Sequence, residues 1–133
     1  MDVLTLHWNN APSSVGRARR ALRTALAGWN AEAVEDEAVL VLSELLTNAV
    51  QHAQAPGRPL ATRFTRLPDG GVRIEVHDAS EAHPKPTTPQ PPDAEAGRGL
   101  HLVTALAASW GVTRQEGGKT TWAELKSGAH HDT

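Results

Sequence analysis

The run from Val41 to Ala53, VLSELLTNAVQHA, limits the possible folds of this chain more than any other stretch. Leu42, Leu45, Leu46, Ala49 and Val50 recur at the three- and four-residue spacing of a helix packed along one side. The opposite arc holds Ser43, Glu44, Thr47, Asn48, Gln51 and His52. Glu44, Asn48 and His52 follow one another in steps of about 40° around the helical wheel. A carboxylate, an amide and an imidazole therefore line one side, one turn apart. A solvated surface face would satisfy the same periodicity, but such faces are usually built from charged pairs. This arc carries one charge among several hydrogen-bonding groups, the composition of a ligand or metal site.

A helix with one apolar arc needs a partner layer, and the 133 residues suffice for one compact domain with a core. The formal net charge of −2 gives no general attraction to nucleic acid. Without cysteine there is no disulfide framework and no thiolate metal site. The first ten residues, MDVLTLHWNN, lack the basic and apolar regions of a secretory signal. No run reaches the roughly 20 apolar residues that span a bilayer. These features predict a cytoplasmic protein with no membrane contact.

The flanking segments supply the partner layer. Val3 to Trp8 alternates, with Leu4, Leu6 and Trp8 on one side, as in a strand with one buried face. Pro12 and the serines at 13 and 14 suit a turn and a helix N-cap. Val15, Ala18, Leu22, Leu26 and Trp29 predict helix one over Ser14 to Trp29, ended by Gly28 and Asn30. Its Arg17, Arg19, Arg20 and Arg23 fit either a solvated surface or a face that docks a partner protein. A nucleic-acid role is disfavoured by the chain's charge and the lack of an aromatic stacking run. Helix two extends from Glu32 to Ala53, with an acidic first turn that suits the positive end of the helix dipole.

Strands are predicted at Leu60 to Arg66 and Gly71 to His77, around the turn Pro68-Asp69-Gly70, with Asp78 at the end of the second. Ala79 to Ala96 holds five of the nine prolines and no apolar periodicity. It reads as a linker or as a lid over a site. Gly97-Arg98-Gly99 closes that loop ahead of a helix from Leu100 to Trp110, where backbone amides could approach an anion. A last hairpin joins Trp110 to Gln115 and Lys119 to Lys126, and a polar tail follows. The expectation is an α+β two-layer sandwich, a mainly antiparallel mixed sheet with helices on one face, forming a single domain over residues 1–127 with a tail at 128–133.

Four motifs now stand in order: ELLTNAVQHA, Asp78 at a strand end, GRGLHLV, and GKTTWAEL. Together they resemble the ATP-binding fold of the GHKL group, shared by gyrase, histidine kinases and the MutL repair protein. More closely they resemble the small serine/threonine kinases that act as bacterial anti-sigma factors, and related short actinomycete ATP-binding proteins. The resemblance covers about Leu4 to Leu125. It implies that Asn48 holds a Mg²⁺ bridging the phosphates of ATP, and that Glu44 is the general base for an attacking hydroxyl. It implies that Asp78 accepts a hydrogen bond from the adenine amino group, and that Gly97, Arg98 and Gly99 lie near the phosphates. Thr120 corresponds to a residue that supports adenine recognition. Leu100, Lys119 and His52 complete the nucleotide-contacting set, with His52 given no chemical role. The sequence departs from the pattern in two places: Asp78-Ala79-Ser80-Glu81-Ala82 lacks the usual glycines, and the lid is rich in proline.

The function implied is an ATP-dependent serine/threonine protein kinase of the anti-sigma type. It would act by partner switching on a sigma factor and an antagonist protein, with a homodimer as a further possibility. The alternative is a nucleotide-sensing module that binds a protein partner without useful catalysis. A histidine kinase fragment would need an additional helical hairpin carrying a phosphoacceptor His. A gyrase-like ATPase would need a second domain to supply a Lys.

Overall fold

The computed structural model describes residues 2–52, 59–78, 95–115 and 118–126. The side chains of His52, of residues 95–100 and of Gln115 are outside that description, as are the lid segment from Ala79, the break at 56–58 and the tail at 128–133. The elements are β1 (Val3–Trp8), α1 (Ser13–Gly28), a 3-10 turn (Glu32–Val34), α2 (Glu35–His52), β2 (Leu60–Arg66), β3 (Val72–Asp78), α3 (Glu95–Leu106), β4 (Ser109–Gln115) and β5 (Gly118–Leu125).

The five strands form one sheet in the order β1-β2-β3-β5-β4, and every neighbouring pair is antiparallel. The fold is the predicted α+β sandwich. Alternation along the strands sorts residues into two faces. Leu60, Thr62, Phe64, Val72, Ile74, Val76, Ala123 and Leu125 turn toward the helices and are buried. Ala18, Leu22 and Leu26 of α1, Leu42, Leu45 and Leu46 of α2, and Val103 of α3 close over them. Phe64 is wholly buried and alone contributes about 2–3 kcal/mol of apolar transfer. Among the described residues no helix is long and apolar enough to cross a membrane.

Several boundaries differ from the sequence expectation. The two serines do not cap α1 through their side chains: Pro12 holds the cap position, and Ser14 Oγ donates back to the Asn9 carbonyl at 2.7 Å. The helix ends as predicted near Asn30, which has φ 60°, while the Ala31 amide reaches the Leu26 carbonyl at 2.8 Å. A short polar side chain tolerates that left-handed conformation. Helix two begins with a 3-10 turn at Glu32 and becomes α-helical at Glu35.

The largest correction concerns α3. It begins at Glu95, so Gly97, Arg98 and Gly99 lie inside its first turns and do not form a turn ahead of it. It also stops at Leu106, because the Ala108 amide is captured by the Glu124 carbonyl of β5 at 2.8 Å. Trp110 belongs to β4, opposite Ala123, and its Nε1 donates to Thr104 Oγ1 at 3.0 Å.

The face away from the helices is polar and internally paired. The Arg73 guanidinium donates to Glu75 and Glu124, each at 2.8 Å, and lies 4.3 Å from the centre of the Trp122 ring. Burial alone would lower the Arg73 pKa, but its two carboxylate partners outweigh that and raise it, so the charge persists. Gly111, opposite Trp122, leaves room for the indole, since a Cβ there would sit 2.9 Å from the ring.

A tighter constraint lies at Gly71, between the hairpin turn and β3. A Cβ at this position would run into the carbonyl oxygen of Leu125 on β5. Gly71→Ala should therefore destabilise the fold by about 2 kcal/mol or more, as overpacking of a closed site does. Gly16 in α1 has nothing within 4 Å of an added Cβ. Gly16→Ala should stabilise by about 0.5–1 kcal/mol, the helix-interior difference between the two residues. Chemical denaturation of the two variants beside the wild type checks both signs.

Candidate nucleotide site

The central helix is held on two sides. Its apolar arc lies on β3 and β5, and α1 and α3 pack along its flanks. On the α1 flank, Arg19 Nη1 donates to Ser43 Oγ at 3.3 Å, while Ser43 Oγ donates to the Val39 carbonyl at 2.8 Å. Ser43 and Asn48 are about 140° apart on the wheel. The contact with Arg19 therefore turns Asn48 to the flank away from α1. Glu44 and Asn48 are both half-buried, one turn apart. His52 is the last residue of α2, one further turn along.

Asp78 is the last residue of β3 and is only 5% exposed. It shares the helix-facing side with Val72, Ile74 and Val76. The sheet therefore presents a buried carboxylate on the same side as α2, which carries the Glu44 and Asn48 pair. An acceptor in a sheltered position is what reading an amino group on a flat base requires.

The β3–β5 register sorts the residues at the start of β5. Lys119 stands opposite Asp78, Thr120 opposite His77, and Thr121 opposite Val76. Lys119 and Thr121 thus face the helices beside Asp78. Thr120 lies on the far side of the sheet, where its Oγ1 is 3.1 Å from His77 Nδ1. The motif resemblance puts Thr120 in the nucleotide-contacting set; Thr121 is the threonine that shares a face with Asp78, and it is half-buried. Two adjacent threonines are ambiguous until strand parity is known. The signal that separates them is the pairing of Asp78, not the motif.

The earlier start of α3 changes which amides are available at its N-terminus. Only the first four N–H groups of a helix lack an intrahelical partner. With α3 starting at Glu95, those among the described residues belong to Glu95, Ala96 and Gly97, while the Arg98 N–H is the first to find a carbonyl four residues back. The amides of Gly99 and Leu100 fall within reach of the carbonyls of Glu95 and Ala96, as in any helix interior. Any anion at this helix start would therefore meet the amide of Gly97 before those of Arg98, Gly99 and Leu100.

The arrangement has relatives. An uncharacterised protein of Streptomyces coelicolor is 38% identical over 76 residues, covering 56% of this chain and 70% of that protein. The blue-light activated histidine kinase of Erythrobacter litoralis superposes with a TM-score of 0.57 and 27% identity over 73% of this chain. A structure of that kinase's histidine kinase domain superposes with a TM-score of 0.50 and 25% identity over 71% of this chain. The chain spans 31% and 45% of those two kinase structures, so the likeness concerns one part of each. Residues 8–125 match the family model of the histidine kinase-like ATPase domain, a match that implies ATP binding, and the chain belongs to that family.

Proposed function

We propose that this protein is an ATP-dependent serine/threonine protein kinase that regulates a protein partner by switching between complexes. One arrangement supports the reading above all: Glu44 and Asn48, half-buried one turn apart on α2, on the side of the sheet that carries the buried Asp78. Asp78 accepts from the adenine amino group and so orients the base. The first-turn amides of α3 meet the phosphates.

The donor set fits Mg²⁺. Asn48 offers a hard amide oxygen, and Mg²⁺ is commonly held by one or two protein oxygens plus phosphates and waters. Among the described residues no cluster of three or more His, Asp or Glu could hold a metal alone, so phosphate oxygens would complete its shell. When bound, the ion neutralises charge on the transferred phosphoryl group. Glu44 then accepts the proton of the attacking hydroxyl while the rest of the site holds ATP in line. Arg17 and Arg20 on the exposed side of α1 are in no ion pair among the described residues, which suits docking of a protein partner. A sigma factor or an anti-sigma antagonist fits the partner-switching reading, and a second copy of the chain is a further candidate.

Mg-ATP at about 100 times its Kd should stabilise the fold by about 2.7 kcal/mol. Asp78→Asn should weaken that binding by about tenfold or more, the usual loss of a hydrogen bond to a charged group, and Asn48→Ala should weaken it by removing an oxygen ligand of Mg²⁺. Thermal melts with and without Mg-ATP read both; a wild-type melt that Mg-ATP leaves unmoved refutes the nucleotide reading. Glu44→Gln should bind Mg-ATP normally yet slow phosphoryl transfer to a protein acceptor by about 100-fold or more. Radiolabel transfer from γ-labelled ATP to a candidate antagonist domain measures this. Partner affinity that responds to ATP and is unchanged in Glu44→Gln, with no transfer in the wild type, would favour the non-catalytic sensing module.

A further inference from the structure

A second polar group stands at the end of the sheet beside Asp78. Lys119 is directly opposite Asp78 in the β3–β5 pair, on the helix-facing side, and is half-buried. Its other neighbour is Arg114 on the edge strand β4. One row across the sheet therefore reads Leu60, Asp78, Lys119, Arg114. Side chains directly opposite on one face are about 5 Å apart at Cβ, and like charges so placed repel. Arg114 disfavours an ammonium on its own side, and the Asp78 carboxylate favours it on the other. Among the described residues neither Lys119 nor Arg114 is in an ion pair. Lys119 thus brings three uncommitted donors on a flexible stem to the same end of the site as the buried acceptor.

We propose that Lys119 is a specificity-determining residue for the base: its ammonium donates to the purine ring nitrogen next to the amino group that Asp78 accepts. The proposal rests on the nucleotide reading and adds to it a second point of base recognition. Adenine offers a donor beside an acceptor, the N6 amino group flanked by N1 on one edge and N7 on the other. Guanine instead presents O6 beside N7, two acceptors. An Asp beside a Lys matches the adenine pattern. Guanine in the same pose would set O6 against the Asp78 carboxylate, lone pair against lone pair.

The test measures Kd by calorimetry for Mg-ATP, Mg-1-deaza-ATP and Mg-7-deaza-ATP, with wild type, Lys119→Met, Lys119→Gln and Lys119→Arg. The wild type should lose about tenfold for one of the two deaza analogues, the value of a charge-assisted hydrogen bond. Lys119→Met and Lys119→Gln should lose about the same factor for ATP and no longer discriminate against that analogue. Lys119→Arg should keep the discrimination. A general loss of pocket shape would lower affinity for all three ligands equally, and that result overturns the proposal. Unchanged ATP affinity in both Lys119→Met and Lys119→Gln overturns it while leaving the nucleotide reading intact. Absence of saturable Mg-ATP binding in the wild type overturns both.

Discussion

The pairing of β3 with β5 is the constraint on which the rest of the molecule depends. The two strands run antiparallel from Val72 opposite Leu125 to Asp78 opposite Lys119. Because side chains alternate with a period of two, that one register decides which residues see the helices and which see solvent. A slip of one residue would send Ile74 and Val76 outward and put Arg73 and Glu75 into the core. It would also remove Asp78 from the site. Gly71 and the Leu125 backbone meet too closely at one end for such a slip, and the Arg73–Glu124 pair binds the same two strands on the outer face.

With the register set, α2 has little rotational freedom. Its apolar arc must lie on Ile74, Val76 and Ala123, and Arg19 holds Ser43 on the α1 flank. The polar arc is left on the flank away from α1, on the side of the sheet that carries the buried Asp78. The chemistry-bearing residues come from a helix and a strand whose relative placement is set by a continuous core. That is a rigid way to position a carboxylate, an amide and a second carboxylate.

Much of this could be read from residues alone. Val3–Trp8 and Leu60–Arg66 are legible to the residue because each alternates cleanly and is bounded by polar or turn-forming neighbours. The polar arc of α2 is legible because Glu44, Asn48 and His52 recur at the helical period. The start of α3 is not, because Gly97 and Gly99 read locally as chain breakers, yet they continue a helix begun at Glu95. Its end is not, because Trp110 lies seven residues after Val103 and imitates one more helical turn. A tertiary contact, the Ala108 amide on the Glu124 carbonyl, decides otherwise. The choice between Thr120 and Thr121 needs the partner strand, and pairing between distant strands leaves no mark in a local window.

The order of the strands also bears on how the chain reaches this state. β5 is the last strand in sequence but sits between β3 and β4. The hairpin of β4 and β5 is local and can close early. The β2–β3 hairpin is local as well. Joining them requires closing the long connection through α3, and loop closure of that kind is slow compared with hairpin formation. Asp78 and Lys119 face each other across that late seam. The end of the sheet that carries Asp78 and Lys119 therefore comes together only when the two hairpins dock, in the same event that joins Ile74 and Val76 to Ala123 and Leu125 in one core.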